Sequence, residues 1–234
     1  MKALYIFPHP DDESFGPAHA MSKQRREGHE VHLLTLTRGG ATRQRHKFGY
    51  SIEEMGAVRY QEMIDVARVL DLSGMTVLDL PDSGLKEMDP RQIERAVGAE
   101  IERLRPQVIV TYAVHGISGF HDHLITHGVV KRAFVEARDA MPEPQRLALF
   151  TISQEEAKGG YFPLSGSTSE EIDCIVEVDD QDLQRSFRAL DCYVTFQETI
   201  EKTRIKDFLT RQVRFELFQE DHSPPLDSLF SGLE

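Results

Sequence analysis

The chain has 234 residues, 40% of them hydrophobic, and a formal net charge of −12. This length and composition suit a single globular domain with a substantial core and exclude a disordered chain. The negative charge disfavours nucleic acid or an anionic membrane surface as the main partner. The chain shows neither a signal-like segment nor a bilayer-spanning apolar run, so we expect a cytoplasmic protein with no membrane contact; its oligomeric state stays open.

Strand and helix patterns alternate along the first two thirds of the chain. Short apolar runs predict five strands, at residues 4–7, 31–37, 76–80, 108–113 and 147–152. Helix patterns fall between them, at residues 16–27, 51–72, 89–105 and 122–138. Ser51 and Glu54 form a capping box, and Pro90 suits a first helical turn. This alternation predicts an α/β fold with a mostly parallel sheet flanked by helices.

The C-terminal third, from about residue 150 to residue 234, is less regular. Residues 172–178 resemble a strand, residues 181–193 a helix, and residues 214–219 are ambiguous. A tail starting at Pro224 is expected on the surface. Cys174 and Cys192 are the only cysteines. They are too few for a disulfide framework, so both are expected to be buried thiols.

The first polar cluster is the segment Pro8–Glu13, directly after the first predicted strand. His9 and Asp12 offer a nitrogen and an oxygen, which are ligand types that zinc accepts. Asp11 stands between them, where it could take a proton from a water molecule activated by a metal. Because ligands of open α/β sheets bind at the carboxyl ends of strands, this position favours a functional site. Capping of the next helix by Asp11 or Asp12 remains the alternative.

The second polar cluster follows the fourth predicted strand, where four histidines lie between residues 115 and 127. In a parallel sheet this segment lies at the same edge as Pro8–Glu13. His123 and His127 are four residues apart and share a helical face, so they form a possible metal-binding pair. An ordinary packed role for His127 is the simpler interpretation.

Together these two segments resemble the LmbE-like, or PIG-L, family of zinc-dependent N-deacetylases, which carries Pro-His-Pro-Asp-Asp-Glu and a later His-Pro-Asp-His. The resemblance covers about residues 1–140 and implies a Rossmann-like, LmbE-like domain that removes an N-acetyl group from an amino sugar or a related small N-acyl conjugate. It implies His9, Asp12 and His123 as ligands of Zn²⁺, although iron or cobalt could occupy such a site. Asp11 is then the general base, and Asp122, just before the last ligand, is a partner that orients the metal ligands without binding the metal itself.

The chain departs from the family pattern in the second motif. The first family histidine aligns with Phe120, so we expect His121 to supply the missing catalytic imidazole. The same departure motivates an alternative from another class, a catalytically silent protein that binds metal or sugar. A nucleotide-binding Rossmann module is disfavoured, because no Gly-x-Gly-x-x-Gly motif follows a strand. The sequence leaves the acyl group, the sugar and the role of loop 38–50 open.

Overall fold

A computed structural model describes residues 1–233 and contains one seven-stranded sheet. Its strands are β1 (Lys2–Phe7), β2 (Glu30–Thr37), β3 (Gly74–Leu80), β4 (Val108–Tyr112), β5 (Arg146–Thr151), β6 (Cys174–Glu177) and β7 (Gln212–Leu217). The strand order is β3-β2-β1-β4-β5-β7-β6. The first five strands pair in parallel, and β7 runs antiparallel to both β5 and β6. The α/β fold with a mostly parallel sheet is therefore confirmed.

Within residues 1–233, ten α-helices accompany the strands. They are α1 (Asp12–Phe15), α2 (Ala18–Arg26), α3 (Arg45–Phe48), α4 (Ile52–Val69), α5 (Pro90–Leu104), α6 (His121–Ala140), α7 (Gln154–Lys158), α8 (Asp180–Cys192), α9 (Gln197–Thr203) and α10 (Ile205–Phe208). Short 3-10 helices lie at Leu85–Glu87 and Val194–Phe196. The capping box of Ser51 and Glu54 opens α4, and Asp89 caps α5 ahead of Pro90, as the sequence predicts. None of these helices is long and apolar enough to cross a membrane.

The sheet separates two apolar layers, because side chains of each strand alternate between its two faces. Tyr5 and Phe7 of β1 pack on one face, in a layer that includes residues of α2, α4 and α8. Leu4 and Ile6 pack on the other face, in a layer that includes residues of α5 and α6. Burial on both faces explains why β1 is a continuous apolar run rather than an alternating pattern.

In the less regular parts, one ambiguous segment forms a strand, and two expectations need correction. The ambiguous segment forms β7, which joins the sheet between β5 and β6. The tail is not wholly on the surface: Leu229 is fully buried and Phe230 nearly so, because both pack into the core. Cys174 is buried as predicted, whereas Cys192 is only half-buried, at the end of α8.

Candidate metal centre and its cavity

The carboxyl ends of adjacent parallel strands bring the two polar clusters together. Strand β1 lies between β2 and β4 and pairs in parallel with both, so Phe7 and Tyr112 end at one edge of the sheet. The segment after β1 is tied to β2, because Thr37 donates from its backbone N–H and its hydroxyl to the Pro8 carbonyl at 3.0 and 2.9 Å. The rings of His9 and His123 lie with their centroids 5.4 Å apart. His9 also contacts Asp122, which is 113 residues later in the sequence.

Asp12, the first residue of α1, is the centre of the cluster. Its Oδ1 accepts a hydrogen bond from the Tyr112 hydroxyl at 2.8 Å and lies 3.4 Å from Nε2 of His123. Its Oδ2 accepts from the backbone N–H of His9 at 2.8 Å and lies 3.5 Å from Nδ1 of the same residue. Burial opposes ionisation of Asp12, but His123 and His9 outweigh burial and hold its pKa below the usual value. Each carboxylate oxygen thus faces an imidazole nitrogen.

The ring of His123 is fixed from its far side. Its Nδ1 lies 3.0 Å from the Gly116 carbonyl oxygen, which can only accept, so Nδ1 carries the proton. The Nε2 lone pair therefore points toward Asp12, as in metal-binding histidines held by a carbonyl group. Gly116 has a φ of +62°, and a Cβ there would lie 2.8 Å from Cβ of His123. Glycine thus allows both the turn and the close approach.

His9 is held by two further carboxylates. Its Nε2 lies 3.2 Å from Oδ2 of Asp122 and 3.4 Å from Oδ1 of Asp82. Burial alone lowers the pKa of His9, but its contacts with Asp12 and Asp122 outweigh burial and raise it to about 10. Nε2 of His9 donates a hydrogen bond to the Asp122 carboxylate, and Nδ1 on the other side of the ring faces Asp12. The Asp122 carboxylate also accepts hydrogen bonds from the backbone N–H groups of Ser83 and Leu85. These hydrogen bonds hold the segment after β3 in place.

Asp11 is paired with a buried arginine from α4. Nη2 of Arg59 donates to Asp11 Oδ2 at 2.6 Å and to the Pro10 carbonyl at 2.8 Å. Burial raises the pKa of Asp11 to about 7, and Arg59 opposes that rise. Asp11 has a φ of +88° and caps nothing with its side chain, so the capping alternative fails at this residue. A Cβ on Gly39 would lie 2.5 Å from Nη1 of Arg59. A larger residue at position 39 would therefore clash with the arginine.

The donor set fits a divalent transition metal. One ligand atom each from His9, Asp12 and His123 lies within 4.8 Å of the others. Two imidazoles and one carboxylate are a ligand set of catalytic zinc, which keeps a further position open. His9 also belongs to a second such group with Asp82 and Asp122. We favour the first group, because the Nδ1 contact of His123 directs its Nε2 toward Asp12, and because the second group offers only one imidazole.

The structure therefore brings together Asp11, the three predicted ligands and Asp122, but it places His121 apart from them. His121 is exposed and is not among the residues that line the cavity described below. Asp122 contacts the imidazole of His9, and its orienting role stays a prediction. His127 Nδ1 lies 2.9 Å from the Tyr112 carbonyl oxygen, and His127 lies outside both possible metal-ligating groups. Since a carbonyl only accepts, His127 is the donor, which agrees with its ordinary packed role.

Sequence reasoning gave no role to Tyr112 or Asp82. Tyr112 is the last residue of β4, and its ring stacks on His123 with centroids 4.4 Å apart. Asp82 follows β3 and accepts the backbone N–H of Ala41 at 2.7 Å. Both residues lie at the carboxyl ends of predicted parallel strands. That position is the signal that identifies them.

The cluster opens into a cavity of about 390 Å³. Polar groups line the end formed by His9, Asp11, Asp12 and His123, with Arg59 behind Asp11. The remaining wall is mostly apolar and extends past the end of β5 toward β7 and α10. A volume in this range accommodates a small-molecule ligand.

A mostly parallel α/β sheet with a His/Asp cluster at its carboxyl edge defines a Rossmann-like protein with a candidate metal centre. The chain belongs to the PIG-L family, because the family described as GlcNAc-PI de-N-acetylase matches residues 4–134. This match confirms the resemblance based on Pro8–Glu13 and the second histidine segment.

Several known proteins are similar to this chain. A mycothiol S-conjugate amidase from Streptomyces coelicolor is 32% identical over 163 residues, which cover 62% of this chain and 55% of that protein. The chain thus spans little more than half of that relative. A deacetylase of teicoplanin biosynthesis has a TM-score of 0.73 at 14% identity, covering 93% and 97% of the two chains. The 4-carboxy-2-hydroxymuconate hydratase GalB from Pseudomonas putida has a TM-score of 0.69 at 12% identity, covering 94% and 96%. These structural likenesses concern the fold.

Proposed function

We propose that this protein is a metal-dependent hydrolase that removes an N-acyl group, in the simplest case acetyl, from an amino sugar or a related small amide. The observation that carries this proposal is the arrangement of His9, Asp12 and His123 around one point, with Asp11 beside them. Membership of the PIG-L family supports it, as do relatives that are named as amidases and deacetylases. The site opens into a cavity of suitable volume for a small substrate.

The three ligands in this proposal are His9, Asp12 and His123, with Zn²⁺ as the expected ion. A divalent ion bound there would polarise the substrate carbonyl and lower the pKa of a water molecule toward 7. Asp122 and the Gly116 carbonyl keep the two imidazole rings oriented through their second nitrogen atoms. Because the protein already holds both imidazole rings, little side-chain entropy is lost when the metal ion binds.

Asp11 acts as the general base in this proposal. Its carboxylate takes a proton from water as the water oxygen bonds to the amide carbonyl carbon. When the carbon–nitrogen bond breaks, Asp11 returns that proton to the leaving amine, so the products are a carboxylic acid and a free amine. Burial raises the pKa of Asp11 to about 7, which suits a group that both accepts and donates near neutral pH. Arg59 positions the carboxylate through its 2.6 Å contact.

The histidine that the family carries near the oxyanion is replaced by Phe120. His121, expected to substitute for it, lies exposed outside the cavity, so the proposal assigns it no contact with substrate. This gap keeps the second candidate open, a catalytically silent protein that binds metal or sugar on the same scaffold. The buried, paired Asp11 favours the enzyme, because ligand binding alone does not require a base at this place.

Metal content and turnover of single variants test the proposal. His123→Ala and Asp12→Ala are expected to lose bound zinc, measured by elemental analysis of purified protein. Asp11→Asn is expected to keep zinc and to lose about 10²–10⁴-fold in turnover of N-acetylated sugars, measured by release of free amine. Asp65→Asn is the matched control, because Asp65 is an exposed carboxylate on α4 that pairs only with Arg68.

Three outcomes contradict the proposal or part of it. Full zinc occupancy in both ligand variants removes the ligand assignment. Amine release by Asp11→Asn equal to that of the control removes Asp11 from the mechanism. Zinc binding without amine release from any acetylated substrate favours the silent alternative.

A further inference from the structure

The wall of the cavity beyond the polar cluster is apolar. Side chains from separate segments form this wall: Phe15, Ile117, Phe150, Leu164, Phe208 and Leu209. A sugar carries several hydroxyl groups, and burying these against apolar side chains without hydrogen-bond partners costs free energy. An acetyl group alone has one methyl to place there. The extent of this wall therefore exceeds what an acetylated sugar requires.

Exposed aromatic side chains concentrate around this same cavity. Among residues 1–233, six aromatic side chains are exposed, and four of them line the cavity: Phe120, Tyr161, Phe162 and Phe208. Their exposed fractions are 58%, 60%, 50% and 38%. Such a concentration of exposed apolar surface at one place marks a binding site. The aromatic mouth continues the apolar wall outward, so an apolar ligand would contact both.

The charged groups on this side of the cavity neutralise each other. Arg214 of β7 donates from Nη1 to Glu156 of α7 at 2.7 Å, and both residues are largely covered. His19 also borders the cavity, and its burial lowers its pKa to about 4, so it is neutral near pH 7. The apolar end therefore offers no unpaired cation to an anionic substrate group.

We propose that the substrate carries an apolar group of several carbons close to the scissile amide, and that the wall and mouth described above bind it. This inference rests on the proposed function and narrows its substrate class. The apolar group belongs either to the acyl chain or to the substituent on the amine side. An apolar group at either position would make the same kind of contact with the wall. Two series of substrates distinguish the acyl chain from the amine-side substituent.

The first experiment compares zinc-loaded protein on N-acetyl-, N-butanoyl-, N-hexanoyl- and N-octanoylglucosamine. The second series compares methyl and octyl glycosides of N-acetylglucosamine. Each methylene that the wall buries is expected to raise kcat/KM by up to about fourfold. A rise in the first series assigns the wall to the acyl chain, and a rise in the second assigns it to the amine side. If the acetylated compounds are hydrolysed but kcat/KM rises in neither series, the inference is overturned.

Variants of the wall test which surface produces the effect. Leu164→Trp fills the cavity, and Leu164 is outside both core layers, so the fold should persist. It is expected to reduce the octanoyl-to-acetyl ratio of kcat/KM by about tenfold, equivalent to less than two buried methylenes. Phe162→Ser should lower the same ratio. Val194→Ser is the control, because Val194 is 68% exposed but does not line the cavity.

A binding measurement separates this inference from the proposed function. Calorimetry on the metal-free protein should give tighter binding of N-octanoylglucosamine than of N-acetylglucosamine, and Leu164→Trp or Leu164→Ala should change that preference. If no substrate is hydrolysed but this preference holds, the function fails while the apolar site stands. Equal binding of the two ligands overturns the inference. So does a dimer in solution that Phe162→Ser dissociates, since a second copy would then cover the mouth.

Discussion

Loss of either partner of the buried Asp11–Arg59 pair should strongly lower the stability of the fold. The side chains are 14% and 3% exposed, and their contact is 2.6 Å long. Removing one partner of such a pair leaves an uncompensated buried charge, at a cost of about 3–5 kcal/mol. Arg59→Met keeps the aliphatic length of the side chain, and Asp11→Asn tolerates the positive φ better than most residues. Each single variant should therefore lower the free energy of unfolding. The loss in Arg59→Met should be about 3–5 kcal/mol.

A double-mutant cycle isolates the pair itself. Arg59 also donates to the Pro10 and Gly39 carbonyls, and those contacts are lost in both the single and the double variant. Their contribution cancels, so the double variant should be at least about 2 kcal/mol more stable than the sum of single losses predicts. The assay is denaturant unfolding at pH 8 with a chelator present, which removes any contribution from bound metal.

The control for this cycle lies on the same helix. Arg68 pairs with Asp65 at 2.6 Å, but the side chains are 73% and 58% exposed. Arg68→Met should cost no more than about 1 kcal/mol, because exposed pairs are screened by water and salt. The reasoning is refuted if the loss in the double variant equals the sum of the two single losses within about 0.5 kcal/mol. Such additivity is typical of two sites that do not interact.

Two further predictions concern the core. Burial lowers the pKa of His19 from 6.5 to about 4, so the unfolded state binds more protons between these values and stability falls as pH falls from 6.5 toward 4. The full loss is about 3 kcal/mol; His19→Phe should flatten this part of a stability profile measured by denaturant unfolding, and an unchanged profile would contradict the assignment. Leu229→Ala should cost about 2–5 kcal/mol because Leu229 is fully buried. The exposed Leu124→Ala should cost less than about 0.5 kcal/mol, and equal thermal shifts would mean that the tail is not anchored.

The strands and the meeting of the two polar clusters were accessible from sequence for a definite reason. The run Leu4–Phe7 is apolar at every position, which is typical of a strand buried on both faces. Parallel pairing then places residues after β1 and β4 at one edge, so proximity of His9 and His123 follows from topology alone. Their predicted role as metal ligands stays a prediction.

Side-chain directions near the start of α6 were not accessible in the same way. Residues two apart on a helix point about 200° apart, so His121 and His123 diverge once the helix begins at His121. If α6 began one turn later, His121 and His123 would both lie in the loop before it. Both side chains could then face the carboxyl edge of the sheet. Asp122 likewise turns toward His9 because the segment after β3 supplies backbone donors to its carboxylate. The sequence predicts the helix start within one residue, at residue 122, but it predicts neither the side-chain directions there nor those backbone donors.

The apolar cavity wall was inaccessible for a different reason. Its residues come from α1, β5 and the segments around residues 164 and 209, which sequence patterns do not connect. Their assembly depends on how α7, α9 and α10 pack, and these short helices carry weak periodicity. The irregular last third of the chain thus holds the part of the site that would set specificity.

The C-terminal segment has a consequence for association between molecules. Strand β6 is the last strand of the sheet, and an open edge of this kind can pair with a strand of another molecule. Leu226 occupies that edge, since it donates its N–H to the Asp173 carbonyl and accepts from Ile175, each at 2.8 Å. The segment therefore protects β6 against aggregation by strand addition.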